Sequence, residues 1–264
     1  MKMKNAIVFF LLWLSFFCWI QNAPAQDFPL LKSSLAYLPN ILESPEKGVF
    51  VDLIREIDKE YPGEIEIKVF PFARSLNNIV MGKADFHMPM IRNKLVSDDS
   101  LPYRYVSEIM GHVVFVIYSN KANPITLDKI QTAQKCEAFP YRIETMRGFK
   151  DYFPFPVIDT SQVECSLQKV DSGRADAFIF AQEESDYTIR TLGLNNIHRE
   201  MYDQFEDVMV IPKGQRGEAL DKILSRHIKR LKTNGSWQKM HLKVHLPYAQ
   251  WQPHVELMRV EANN

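Results

Sequence analysis

Gly82-Lys83-Ala84-Asp85, running into the apolar stretch FHMPMI (86–91), is echoed 91 residues later by Gly173-Arg174-Ala175-Asp176, running into AFIF (177–180). A helical pattern precedes each turn. In residues 73–81 it places Ala73, Leu76, Ile79 and Val80 on one face, and residues 166–172 give a helical turn or two. Glycine suits the left-handed residue that closes a helix, and an aspartate just beyond it can accept from local backbone amides. Helix, tight turn and apolar strand, occurring twice, predict two similar α/β lobes.

The segments around the echo extend the alternation. Residues 30–38 read as a first strand, and 51–61 as a helix stopped by Pro62-Gly63. EIEIKVF (64–70) alternates as a half-buried strand does. Residues 113–118 (VVFVIY) are the most strand-like run in the chain. Beyond a polar linker at 120–128, residues 134–141 read as a strand, 142–150 as a short helix and 155–158 as a strand. DVMVI (207–211) is another strand. Residues 217–232 are the clearest helix, striped by Leu220, Ile223, Leu224, Ile228 and Leu231, and 237–244 a last short one.

The 264 residues carry 32 Lys+Arg against 32 Asp+Glu, so no bulk charge points to nucleic acid. Lys2 and Lys4, the apolar run at 6–20 and Ala23-Pro24-Ala25 form the three parts of a secretory leader cleaved after residue 25. That run of 15 residues is shorter than the roughly 20 a spanning helix needs. Export implies an oxidising compartment, so Cys136 and Cys165 are expected to form a disulfide, the other reading being two buried free thiols. No P-loop, Rossmann glycine fingerprint or Gly-x-Ser-x-Gly is present. His241 and His245 share one helical face, but no Glu lies between them as zinc-protease chemistry requires, and no metal is expected.

Several further motifs fall in a fixed order. They are Gly48-Val49-Phe50-Val51-Asp52-Leu53, Pro71-Phe72-Ala73-Arg74, Leu101-Pro102-Tyr103, and Asn234-Gly235-Ser236-Trp237 with Met240. With the two Gly-x-x-Asp turns, their order and spacing resemble the family-3 extracellular solute-binding proteins that serve polar amino-acid ABC transporters. The resemblance covers nearly all of the chain after the leader. It implies an α/β, two-lobed periplasmic-binding-protein type II fold with two crossover strands, here 113–120 and 207–213. The first lobe would be 26–116 plus 213–264, with Trp251 of the tail packed on it, and the second 117–212. The implied protein is a periplasmic monomer without cofactor or catalytic residue. It would trap a small polar or anionic, amino-acid-like ligand by lobe closure and present it to a membrane permease or a sensor.

In that family an Arg after the first Gly-x-x-Asp strand holds the ligand carboxylate, and Arg92 lies nearest that place, with Arg74 as the second cation. Each has a plain alternative, a solvated surface position for Arg92 and a helix-start ion pair for Arg74. The family's second-lobe Asp, which meets the ligand ammonium, falls on Ala181, so either Glu183 substitutes or the ligand has no amino group. Tyr37, Phe50, Phe72, Tyr103 and Tyr141 fall near cleft positions, where aromatic walls sandwich ligands, or else pack in the core. Arg142, read as following a strand and opening a helix, faces an anion or water. Some proteins of this fold are dehydratases or related lyases, and Glu183 or His87 would then be the acid or base.

Overall fold

The computed structural model describes residues 29–38 and 42–253, so the leader expected at residues 1–25 lies outside the described residues. The first lobe opens with β1 (Leu31–Ala36), α1 (Val49–Glu60), β2 (Ile65–Glu66), β3 (Val69–Phe70), α2 (Phe72–Val80), β4 (Phe86–Ile91) and β5 (Arg104–Tyr105). The long strand β6 (Gly111–Asn120) crosses to the second lobe, built from α3 (Leu127–Ala133), β7 (Ile143–Met146), β8 (Ile158–Thr160), α4 (Val163–Asp171), β9 (Ala177–Ala181) and α5 (Gln182–Leu192). Strand β10 (Ile197–Ile211) crosses back, and α6 (Gln215–Thr233) and α7 (Ser236–Val244) complete the first lobe.

One sheet path, β2-β1-β4-β10-β6-β9-β7-β8, runs through both lobes. In the first lobe β1 pairs parallel with β2, β3 and β4, and β10 returns antiparallel beside β4 with β5 on its other side. The second lobe repeats this plan, with β7 parallel to β8 and β9 and β6 antiparallel beside β9. The crossovers β6 and β10 pair antiparallel along ten registered residues, which makes the connection between the lobes a two-stranded ribbon.

The repeated turn explains the repeated architecture. Gly82 (φ 65°) and Gly173 (φ 71°) both take the left-handed conformation. Gly82 N–H donates to Ile79 O and Lys83 N–H to Asn78 O, and Gly173 and Arg174 do the same to Val170 and Lys169. The aspartates do not bond locally, as the sequence reading has it. Asp85 accepts from Lys32 N–H (2.8 Å) on β1, and Asp176 from Arg142 N–H (2.7 Å) at the head of β7. Each carboxylate therefore fixes a register, of β1 against β4 in the first lobe and of β7 against β9 in the second.

Apolar side chains bury around this scaffold in three groups. Leu35, Ile54, Phe86, Met209, Leu224 and Ile228 centre the first lobe under α1 and α6. Ile79, Met90, Tyr103, Tyr105, Val208 and Val210 fill the opposite face of its sheet under α2. Phe115, Ile117, Tyr118, Leu167, Phe178 and Ile189 centre the second lobe.

Five expectations are corrected. Residues 143–146 form a strand, not a helix, and 134–141 are not a strand. The i, i+3 spacing of Ile143 and Met146 imitates a helix, but Ile143 and Thr145 are buried between β8 and β9. The third strand of that group begins at Ile158 rather than residue 155. Cys136 and Cys165 are free and exposed. The first thiol faces Thr132 O at the end of the preceding helix α3 and the second Gln162 Oε1 at the start of α4, so neither points to the other. Trp251, expected on the first lobe, packs on the second, where its ring lies 4.3 Å from the Arg199 guanidinium.

Candidate functional site

In an open α/β sheet, ligands bind beyond the carboxyl ends of parallel strands. Here the carboxyl ends of β1, β4, β7 and β9 converge from two lobes on a cavity of about 730 Å³. Tyr37 follows β1 directly, and Met90 and Ile91 end β4. Phe72 opens α2, where Pro71 fixes the entry to the helix, and Phe50 lies in the first turn of α1. From the second lobe, Arg147 follows β7, Phe149 comes two residues later, and Phe180 and Ala181 end β9. Gln182 and Glu183 then open α5 into the same space.

The lobes touch across this space. The rings of Phe72 and Phe149 lie 6.1 Å apart, and Phe149 packs on Phe180 (5.2 Å) and Phe115 (5.9 Å) behind it. Asn93 Nδ2 donates to Asp151 O and Tyr152 O–H to Ile91 O, two hydrogen bonds between the lobes.

The C-terminal segment closes one side. His245, just past α7, reaches Glu183 Oε1 with Nδ1 (3.1 Å) and Asp207 Oδ2 with Nε2 (3.3 Å). Asp207 is on the crossover β10 and Glu183 on the second lobe, so one imidazole ties the two lobes. Beyond it, Gln182 Nε2 donates to Leu246 O, and Arg199 donates to Ala249 O (2.8 Å) and Trp251 O (3.2 Å). Arg199 is itself buried and doubly bonded to Asp186 (2.7 and 2.6 Å), which also accepts from Tyr118 O–H.

Burial sets the ionisation of these groups. It works to lower the His245 imidazole, but the hydrogen bonds and charges of Asp207 and Glu183 outweigh it and push it up to about 10. Burial raises the Asp207 carboxyl. Burial, reinforced by Glu183 and Glu164, raises Glu184 to about 7. His241, whose ring is 4.7 Å from that of His245, is lowered to about 4 by burial and by the neighbouring cations. His87 is lowered to about 4, chiefly by burial; its Nδ1 meets Ser75 Oγ (2.7 Å) and its ring meets Phe72 edge-on.

The predicted site residues divide. Tyr37, Phe50, Phe72 and Glu183 line the cavity. Arg92 is outside it, paired with Asp98 (3.3 Å) and Glu206 (3.0 Å) and stacked over Tyr105. Arg74 is exposed on α2, Tyr103 is buried against Tyr105, and Tyr141 packs on Phe139. Arg142 gives only its backbone N–H, to Asp176. None of these four lines the cavity. Sequence reasoning missed Arg147, Phe149 and His245. The echo could have supplied Arg147, because Asp85 binds Lys32 and Tyr37 lies five residues on, while Asp176 binds Arg142 and Arg147 lies five residues on.

Among the described residues, no group of three or more His, Cys, Asp or Glu side chains could hold a metal ion, and no helix is long and apolar enough to cross a membrane. No protein-family model matches the chain, and a search of curated proteins finds no match. Solved structures do match in fold. The GluR0 ligand-binding core from Nostoc punctiforme, in complex with L-glutamate, is 13% identical with a TM-score of 0.61, over 82% of this chain and 100% of that one. A putative binding component of an ABC transporter from Wolinella succinogenes, complexed with lysine, is 17% identical with a TM-score of 0.61, over 83% and 96%. A histidine kinase sensor domain with similarity to periplasmic binding proteins is 14% identical with a TM-score of 0.60, over 83% and 96%. The chain thus has the two-lobed periplasmic-binding-protein fold that its motifs led us to expect.

Proposed function

We propose that this chain is an exported solute receptor that holds a small molecule between its lobes and presents it to a membrane permease. The observation that carries this reading is the cavity of about 730 Å³ into which four strand ends from two lobes point, with Phe72 and Phe149 facing each other across it. A pocket of that size, largely apolar with a few polar groups, suits a small ligand. The ligand complexes of the GluR0 core and of the ABC-transporter component support binding on this fold. Under this reading residues 1–25 direct export, the lobes divide at 116/117 and 212/213, and the receptor acts as a monomer. Tyr37, Phe50, Phe72 and Glu183 are its ligand-facing residues.

Binding is favoured over catalysis by the state of the two acid–base candidates. Glu183 is held by His245, and His87 is buried outside the cavity lining with its proton affinity reduced. A thermal-shift screen of residues 26–264 against amino acids, polyamines, dicarboxylates and aromatic acids tests the proposal. One chemical class is expected to stabilise the protein, by about 2.7 kcal/mol at a hundred times its Kd. The shift should be lost in Phe72→Ala and Phe149→Ala. Failure of every solute at millimolar concentration would contradict it.

A further inference from the structure

We infer, on the receptor reading above, that the cleft selects an organic monoanion with an aromatic body and no amino group, held at its carboxylate by Arg147.

The first argument is the placement of charge. The first-lobe strand ends and helix starts at the cavity, Tyr37, Leu38, Phe50, Phe72, Met90 and Ile91, contribute no charge; on that side charge comes only from the crossover and the C-terminal segment, as Asp207, Lys243 and His245. The two arginines that a first-lobe carboxylate clamp would use, Arg92 and Arg74, are outside the cavity. Arg147 lines it from the second lobe, is exposed, and makes no ion pair among the described residues. Its backbone is fixed by a hydrogen bond from its N–H to Thr160 O (2.8 Å). Gly148 follows at φ 97°, and Phe149 N–H closes the turn on Met146 O (3.1 Å). A free guanidinium and a cleft aromatic are thereby presented two residues apart on one tight turn. A guanidinium fork gives a carboxylate two parallel charge-assisted bonds, which a lone ammonium cannot. Of the other lining cations, His245 is already held by Glu183 and Asp207, and Lys243 and Arg190 are carried by helices rather than by that turn. Lys243 is on the last turn of α7, and Arg190 lies under the Trp251 ring.

The second argument is what has become of the acid that an amino-acid ligand needs. Glu183 already holds a cation from its own chain, the His245 imidazole at 3.1 Å, and that imidazole is anchored from behind by Asp207. Glu184 is driven toward the neutral form at neutral pH, and Glu164 is exposed to water on the first turn of α4. An ammonium brought into the cleft would lose its hydration without a free, dry carboxylate to replace it, which is strongly unfavourable. The same cleft rejects an amine and accepts its deaminated analogue, because the unpaired charge discriminates against the wrong ligand.

The third argument is the body of the ligand. Beside Arg147 the cavity is bounded by Phe72, Phe149, Phe180, Met146 and Met90. Phenyl and thioether groups of this kind contact an aryl ring on its face and edge.

Three probes with one body separate the possibilities: 3-phenylpropionate, L-phenylalanine and 2-phenylethylamine, titrated calorimetrically into residues 26–264. The expected result is saturable binding of 3-phenylpropionate at least tenfold tighter than of either amine-bearing probe. Arg147→Gln should weaken it at least tenfold, and Arg92→Gln should leave it unchanged. Both arginines are at least partly solvent-accessible, and matching thermal unfolding of the variants will show that they fold. Tighter binding of L-phenylalanine or 2-phenylethylamine would overturn the ligand class while leaving the receptor reading intact, as would undiminished binding in Arg147→Gln. Silence of all three probes would overturn the class. Silence extending to every solute of the wider screen would overturn the receptor reading as well.

Discussion

The first lobe places Tyr37 at the end of its first strand, and the second lobe places Arg147 at the equivalent point. After β4 and β9, seven residues beyond each turn aspartate, the first lobe has Arg92 and the second has Glu183. Backbone geometry is duplicated down to the glycine torsions and the aspartate-to-strand hydrogen bond. The chemistry at the strand ends is not. In the first lobe the charged residue turns away to pair with Asp98 and Glu206, which leaves Tyr37, Met90 and Ile91 at the strand ends uncharged. In the second lobe the charged residues just past the strands, Arg147 and Glu183, line the cleft. The Gly-x-x-Asp turn sets where a wall stands, and the residues just past the strands set its chemistry.

The lobes also differ in how their charges are held, and this gives the largest expected effect. Arg199 in the second lobe is 2% exposed and paired to Asp186, whereas Arg216 in the first lobe pairs with Asp85 from a side chain 69% exposed. Arg199→Met strands a buried carboxylate and detaches the C-terminal segment, so denaturant titration should show a loss of about 3–5 kcal/mol. Arg216→Met should cost less, about 1–2 kcal/mol, because the buried Asp85 keeps its bond from Lys32 N–H and the lost guanidinium lies largely in solvent. Equal losses would erase the contrast.

Acid titration next separates the interior of the first lobe from the tie between the lobes. His87 is buried neutral in the first lobe, its affinity for a proton lowered to about 4. Between pH 6.5 and 4 the unfolded chain binds a proton there and the folded chain does not. Stability therefore falls as pH drops through this window, by about 3 kcal/mol from this residue, and His87→Gln should flatten the fall. His245 has the opposite sign. Held protonated to about 10 between Glu183 and Asp207, beside His241 and Lys243, it stabilises fully below pH 6.5. That contribution is lost as pH rises through 10, so His245→Gln should remove an alkaline loss rather than an acid one.

The turn aspartates sharpen the comparison at smaller scale. Asp85 is buried and bonded by both Lys32 and Arg216, while Asp176 is half-buried and bonded by Arg142 alone. Asp85→Ala should cost about 2 kcal/mol and Asp176→Ala about 1 kcal/mol by thermal unfolding. Gly82→Ala and Gly173→Ala, both at positive φ with open space around the added methyl, should each cost about 1 kcal/mol and equally in the two lobes.

Much of the architecture was legible because it rests on local rules. The 86–91 strand, α2 and α6 follow from apolar periodicity bounded by Gly or Pro. Helix α5 was not, because QEESDYTIRTL carries a thin apolar stripe and its buried Gln182, Ser185 and Asp186 are polar. The outer half of β10 hid likewise, since its charged residues pair along the ribbon between the lobes rather than in a core. In the site, aromatic candidates next to a helix start or strand end were readable, as Phe50, Phe72 and Tyr37 show. The partners of charges were not. Arg92 turning to Glu206, His245 reaching Glu183 and Trp251 crossing to Arg199 depend on contacts 52 to 114 residues apart that no local pattern encodes.

Hydrogen exchange of residues 26–264 with and without a saturating ligand tests the central claim most directly, because it reads both walls at once. Binding between the lobes predicts added protection together at the ends of β1 and β4, in the Arg147–Gly148–Phe149 turn and at the start of α5. Protection confined to one lobe, or absent from the turn at Arg147, would contradict it.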